Sequence, residues 1–154
     1  MLNRRSFLKN SMSAGAIAAA ASCGLLVPGV VLAAWNKEAF SANDLNAAME
    51  ASGAGSAEVS DKIKIIIPPS PADASKVSVE VTSDLPNTEK IAIYIEKNKN
   101  PLSAIFNLGK NTTAFINTRV KMSQSTDVIA VVTAGGKVYK AQVPVIITAS
   151  GCAS

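Results

Sequence analysis

Residues 89–97 read EKIAIYIEK. Ile91, Ile93 and Ile95 fall at every second position, with Ala92, Tyr94 and Glu96 between them. Side chains in an extended chain alternate between two faces, so this spacing predicts a strand with one apolar face. A helix would need apolar residues three and four apart, and the segment does not have them. The same period occurs upstream. KVSVEVT (76–82) places Val77, Val79 and Val81 opposite Ser78 and Glu80, and KIKIIIP (62–68) aligns Ile63, Ile65 and Ile67. Clusters of turn formers separate these runs: Pro68-Pro69-Ser70-Pro71, Asp84-Leu85-Pro86-Asn87 and Asn98-Lys99-Asn100-Pro101.

Downstream, LSAIFNL (102–108), TAFINTRVKM (113–122), DVIAVVTA (127–134) and KVYKAQVPVIIT (137–148) continue the pattern. Gly135-Gly136 predicts a tight type I′ hairpin between the last two, because glycine accepts the positive φ that this turn needs. Pro144 cannot donate a ladder hydrogen bond, which places the last strand at a sheet edge or at a bulge. The run DVIAVV is apolar on both faces, predicting a strand held between layers or one that meets a partner. About seven short strands in roughly 90 residues predict an all-β fold, an immunoglobulin-like antiparallel β-sandwich.

The N-terminal part differs. Residues 35–53, WNKEAFSANDLNAAMEASG, predict a short helix capped by Ser41 or Asn43 and ended by Gly53. SGAGSAEVS (52–60) predicts a flexible connection. The chain opens MLNRRSFLKN, with Arg4-Arg5 before an alanine-rich apolar stretch that ends Val31-Leu32-Ala33-Ala34. Twin arginines, a modest apolar run and small residues at −3 and −1 predict a removed twin-arginine signal over 1–34, and export to the periplasm. The expected organisation is signal 1–34, helix and linker 35–60, sandwich 61–148 and a mobile tail 149–154.

Charge excludes several classes of partner. The 154 residues carry 15 basic and 11 acidic side chains. Without Arg4, Arg5 and Lys9 the excess is a single positive charge, which offers no basis for binding nucleic acid or an anionic membrane. With no histidine, histidine-based triads and histidine metal sites are excluded. Asp44, Glu58, Asp61, Asp73, Asp84, Glu89 and Asp127 fall at turns and strand ends, where solvation and turn-capping account for them. Lys97 and Lys99, like Arg119 and Lys121, are expected as alternating charges on solvated strand faces. No self-contained active site and no bound cofactor are expected.

The exported chain keeps one cysteine. The sequence ends Ser150-Gly151-Cys152-Ala153-Ser154. An unpaired thiol in an oxidising compartment points to intermolecular pairing or to chemistry. Ser150, Gly151, Ala153 and Ser154 are too small to anchor the tail and would leave its tip slim and bendable. Nothing adjacent would activate the thiol as a nucleophile. It suits being acted on by other proteins.

These residues also carry a resemblance. The twin-arginine leader, AAWNKEAF (33–40), SDLPNTEKIAIYIEKNKNPLSAIFNL (83–108), TRVKMSQSTDVIAVVTAGGKVY (118–139) and the near-terminal cysteine resemble the SoxY family, sulfur-carrier subunits of the periplasmic Sox thiosulfate-oxidation system. The resemblance implies an immunoglobulin-like sandwich paired as a heterodimer with a SoxZ-like β-sandwich subunit, with disulfide-linked higher oligomers in reach. It implies that Cys152 holds covalent sulfur intermediates. A thiosulfate-conjugating cytochrome, a sulfate-releasing hydrolase and a sulfane dehydrogenase would act on them. The family's tail is typically Gly-Gly-Cys-Gly-Gly. Here Ser150, Ala153 and Ser154 replace three glycines, and each added side chain narrows the accessible backbone conformations. Two other classes fit the sandwich alone: an adhesion or assembly module using an edge strand, and a thiol protein whose cysteine forms an intermolecular disulfide.

Overall fold

The strand that decides the fold class is buried on both faces. In the computed structural model, which describes residues 36–68, 71 and 73–147, the described elements are two helices and eight strands. These are α1 (Lys37–Ser41), α2 (Leu45–Ala51), β1 (Glu58–Val59), β2 (Ile63–Ile66), β3 (Val77–Ser83), β4 (Thr88–Ile95), β5 (Leu102–Asn107), β6 (Phe115–Val120), β7 (Thr126–Ala134) and β8 (Lys137–Val145). A 3-10 turn, Ala74–Lys76, precedes β3. The strands form a five-stranded sheet in the order β1-β8-β7-β4-β5 and a three-stranded sheet in the order β2-β3-β6. Apart from the parallel pair β1–β8, the pairings are antiparallel.

The main core lies between the sheets. It contains Val77, Val79 and Val81 of β3, Ile91, Ile93 and Ile95 of β4, and Val128, Ala130 and Val132 of β7. Each fully buried valine or isoleucine contributes about 1.5–3 kcal/mol by leaving water. A second core lies on the opposite face of the large sheet, where Ala92, Tyr94, Ile129 and Val131 pack against Ala39, Ala48 and Met49 of the helices. This resolves the two-faced run 127–132: β7 lies between layers, with the small sheet on one side and the helices on the other.

Several local expectations change. The N-terminal segment forms two helices rather than one. Asn36 caps α1 by accepting from the Ala39 amide, and Asp44 caps α2 by accepting from the Ala47 amide. Ser41 and Asn43 are not the caps: Ser41 ends α1, and its hydroxyl donates to the Lys37 carbonyl. Gly53, at φ 78°, follows α2 as expected. The stretch 52–60 is partly ordered: Glu58 and Val59 pair with Tyr139 and Lys140, and the Ser60 amide donates to the Lys140 carbonyl. Gly135 and Gly136 take φ of 56° and 76°, the positive pair of a type I′ turn.

The edge position of Pro144 follows from the same hydrogen bond. Lys140 directs its carbonyl to β1, so the even-numbered backbone groups of β8 face away from β7. Beyond Lys140 no described strand covers that side, and Pro144 sits there without an N–H to leave unpaired.

Candidate functional site: the root of the C-terminal arm

Cys152, with Ser150, Gly151, Ala153 and Ser154, lies outside the described residues, as does the 1–34 segment. What the structure gives is the base from which the arm departs. Val145 is buried and pairs with Thr126 at the start of β7. Ile146 is 63% exposed. Ile147 packs against the main core, and its amide donates to the Ser125 hydroxyl at 2.9 Å. Chain direction is therefore fixed to within five residues of the cysteine. At about 3.3–3.6 Å per residue, five residues of chain span at most about 18 Å.

The Ser125 anchor is itself held. It belongs to the loop 121–125 between β6 and β7. Met122 of that loop is buried, and its amide donates to the Ala74 carbonyl at 2.8 Å. Asn98, in the turn after β4, clamps the loop from the other side. Its Nδ2 donates to the Lys121 carbonyl at 2.8 Å, and its Oδ1 accepts from the Ser123 amide at 2.9 Å. An asparagine side chain carries the donor and acceptor of a peptide unit, so it can stand in for a strand neighbour. The path Asn98, loop 121–125, Ser125, Ile147 ties the arm root to the sandwich. Sequence reasoning took Asn98 only as a turn signal and did not single out Ser125. An Asn-x-Asn-Pro turn gives no hint of a bond to a loop 23 residues away.

Three lysines gather at this end. Lys97 and Lys99 lie in the β4–β5 turn and Lys121 in the loop that Asn98 clamps, all exposed or nearly so. They are not strand-face charges, as their alternation suggested; Arg119 is, on the exposed side of β6. Asp127 accepts from Gln142 Nε2 at 3.4 Å. The other candidate carboxylates are dispersed. Asp44 caps α2, Asp84 pairs with Lys64 at 3.4 Å, and Asp73 accepts from the hydroxyl and amide of Ser75. Those bonds, the side-chain one first, lower the pKa of exposed Asp73. Glu58, Asp61 and Glu89 join no shared site: Glu58 is in β1, Asp61 in the β1–β2 turn and Glu89 in β4.

Inside the fold, Tyr94 is fully buried and its hydroxyl is hydrogen-bonded to the Ser52 hydroxyl. Burial raises its pKa above the usual value, and the Ser52 bond opposes the shift in part. Lys90 Nζ donates to the Ser52 carbonyl at 3.1 Å, so two residues of β4 hold the end of α2. Thr126 Oγ1 is buried without a hydrogen-bond partner. An open cleft of about 870 Å³ lies between Ser83–Leu85, Thr88–Glu89 and Leu108–Thr112. It is at the end of the sandwich where β8 begins, and nine residues of β8 separate it from the arm root. At about 3.4 Å per residue that strand spans about 30 Å.

The described residues thus present a rigid base without clustered catalytic groups, and a short length of chain leads from it to a thiol. Among curated protein sequences, none matches the chain. Among solved structures, the sulfur carrier protein SoxY from Chlorobium limicola f thiosulfatophilum is 29% identical, with a TM-score of 0.63 over 73% of this chain and 99% of that one. A variant of the superoxide reductase (neelaredoxin) from Ignicoccus hospitalis is 14% identical, with a TM-score of 0.50 over 64% of this chain and 86% of that one, which is a likeness of fold alone. The family model described as sulfur oxidation protein SoxY matches residues 48–152, from α2 through to the cysteine. The chain belongs to the SoxY family of sulfur oxidation proteins.

Proposed function

We propose that the protein is a covalent carrier of sulfur intermediates, with Cys152 as the attachment point and no catalysis of its own. The observation that carries this is the family match running through to Cys152, five residues beyond Ile147, whose amide is held by the Ser125 hydroxyl. Loading joins the thiol to thiosulfate: RSH + S₂O₃²⁻ → RS–S–SO₃⁻ + H⁺ + 2e⁻. The two electrons pass to a thiosulfate-conjugating cytochrome. Hydrolysis then releases sulfate: RS–S–SO₃⁻ + H₂O → RS–S⁻ + SO₄²⁻ + 2H⁺. The remaining sulfane sulfur is substrate for a sulfane dehydrogenase. A SoxZ-like β-sandwich subunit completes a heterodimer, and the twin-arginine leader brings the carrier to the periplasm. Ser150, Gly151, Ala153 and Ser154 keep the tip narrow enough to enter the clefts of those enzymes.

The test is an intact mass spectrum of the protein isolated without reductant from cells oxidising thiosulfate, with the C-terminal peptide mapped before and after reduction. Reducible sulfur or thiosulfate adducts on Cys152, lost in Cys152→Ser, are expected. An unmodified or only disulfide-paired Cys152 in cells with active partner enzymes would overturn the carrier role.

A further inference from the structure

The last residues of β8 are held more weakly than the rest of the ladder. The Asp127 carbonyl accepts from the Glu96 amide at 3.2 Å, so odd-numbered backbone groups of β7 face β4 and even-numbered ones face β8. Thr126 and Val145 therefore form a hydrogen-bonded pair, as do Val128 and Val143. Between these pairs, Pro144 opposes Asp127 and adds no hydrogen bond to β7. Beyond Val145 the ladder ends. Ile147 is held by the Ser125 hydroxyl instead of by a backbone carbonyl, and Ile146 before it is exposed. The closing pair also contains a defect: Thr126 Oγ1 is buried with no hydrogen-bond partner.

A buried hydroxyl without a partner weakens the packed state, because the water it has lost is not replaced. Lifting Val145 off Thr126 returns that water, so part of the cost of opening is recovered on the spot. We infer that Val145–Ile147 is a detachable extension of the arm, with Pro144 as its hinge and Thr126 and Ser125 as the positioning residues that set how often it opens. Closed, the arm starts at Ile147, and its five residues reach at most about 18 Å. Open, it starts at Pro144, and the eight residues to Cys152 reach about 26–29 Å. Proline suits the hinge, since its ring fixes φ and it has no N–H to leave bare when the strand lifts. A partner enzyme whose reacting group lies more than about 18 Å below its docking surface is then served by the long form only. Reach matters only for a thiol that must be delivered, so this rests on Cys152 as the attachment point.

The experiment traps the long form with a second thiol, in chains carrying Cys23→Ser so that Cys152 is the single native cysteine. Lys137, exposed at the start of β8, lies about 34 Å along the strand from Ile147 and about 24 Å from Pro144. A disulfide joins Cα atoms about 6 Å apart. The closed arm therefore falls short of position 137, and the open arm reaches it. In dilute protein under a glutathione redox buffer, Lys137→Cys should form an intramolecular disulfide with Cys152, seen by peptide mapping, at a rate independent of protein concentration. Adding Thr126→Val should slow this about fivefold, because the closed form gains when the orphaned oxygen goes. Gln124→Cys, beside the Ser125 anchor, is within reach of the closed arm and should cross-link at the same rate with or without Thr126→Val. In native-state hydrogen exchange, the Val145 amide should exchange by a local opening insensitive to low urea, while Val143 stays protected until global unfolding. Val145 exchanging only together with Val143 would overturn the proposal. So would a Lys137→Cys chain that fails to cross-link where Gln124→Cys succeeds, or one whose cross-linking Thr126→Val does not change. These measurements use neither sulfur substrate nor partner enzyme. Trapping that succeeds in a protein whose Cys152 never carries sulfur would leave the two arm lengths standing and overturn the carrier role alone.

Discussion

Thr126 is a hydroxyl in a place built for a methyl group. It faces the main core at the arm end of β7, its Oγ1 is buried, and nothing bonds to it. Valine has nearly the same shape without the desolvated oxygen. Thr126→Val should raise the unfolding free energy by about 1 kcal/mol, and Tm by about 4 °C, in thermal or urea denaturation. Tyr94 is the opposite case, a buried hydroxyl that is paired. Tyr94→Phe leaves Ser52 without that partner and should cost about 1–2 kcal/mol. Its raised pKa also predicts a pH dependence. Burial favours the neutral phenol in the folded state, so the unfolded chain ionises first, near its ordinary value of 10.0. The contribution is fully present below that pH and is lost as pH rises through the folded pKa. Denaturation at about pH 9 and about pH 11 should show a loss of stability that Tyr94→Phe reduces. Sequence placed Tyr94 correctly on the face opposite Ile91, Ile93 and Ile95. It could not show that the face was buried, because the cover comes from α1 and α2, two short helices that present Ala39, Ala48 and Met49 and make a weak periodic signal.

Elements were legible where the period of two was strict. β2, β3, β4 and the β7–β8 hairpin stand close to where alternation and Gly135-Gly136 put them. The failures are at positions decided by distant partners. Two residues of β1 form a strand only because β8 has room for a neighbour up to Lys140. The N-terminal helix divides at Ala42-Asn43, where Asp44 caps a second start and Asn100 Nδ2 donates to the Ala42 carbonyl at 3.3 Å. The arm root belongs to the same class, since its order depends on Asn98 reaching across to the loop 121–125. Asn98→Ala removes both clamps. It should leave global stability within about 1 kcal/mol, because the groups it frees can meet water. Amide exchange at Ser123 and Ile147 should nevertheless quicken several-fold in native-state hydrogen exchange. Ser125→Ala should quicken Ile147 alone.

For the molecule as a whole, the sandwich and the thiol are separate inventions. The described helices, the two cores and the far cleft contain no cysteine. Cys152→Ser should accordingly leave the unfolding midpoint of the reduced protein unchanged within error, while abolishing sulfur loading in the mass spectrum. The thiol and its small neighbours can be read directly from the sequence. Sequence alone did not disclose the point of attachment, which rests on a seryl hydroxyl 22 residues away along the chain. That attachment at Ile147 sets a local concentration. A thiol tethered within about 18 Å of a fixed point is confined to a volume equivalent to a concentration on the order of 0.1 M. For the carrier proposed above, an enzyme that grips this end of the sandwich, even briefly and weakly, meets its substrate at that concentration whatever the abundance of the carrier in solution. Its active site then needs little affinity for the sulfur cargo itself, so product can leave as easily as substrate arrived.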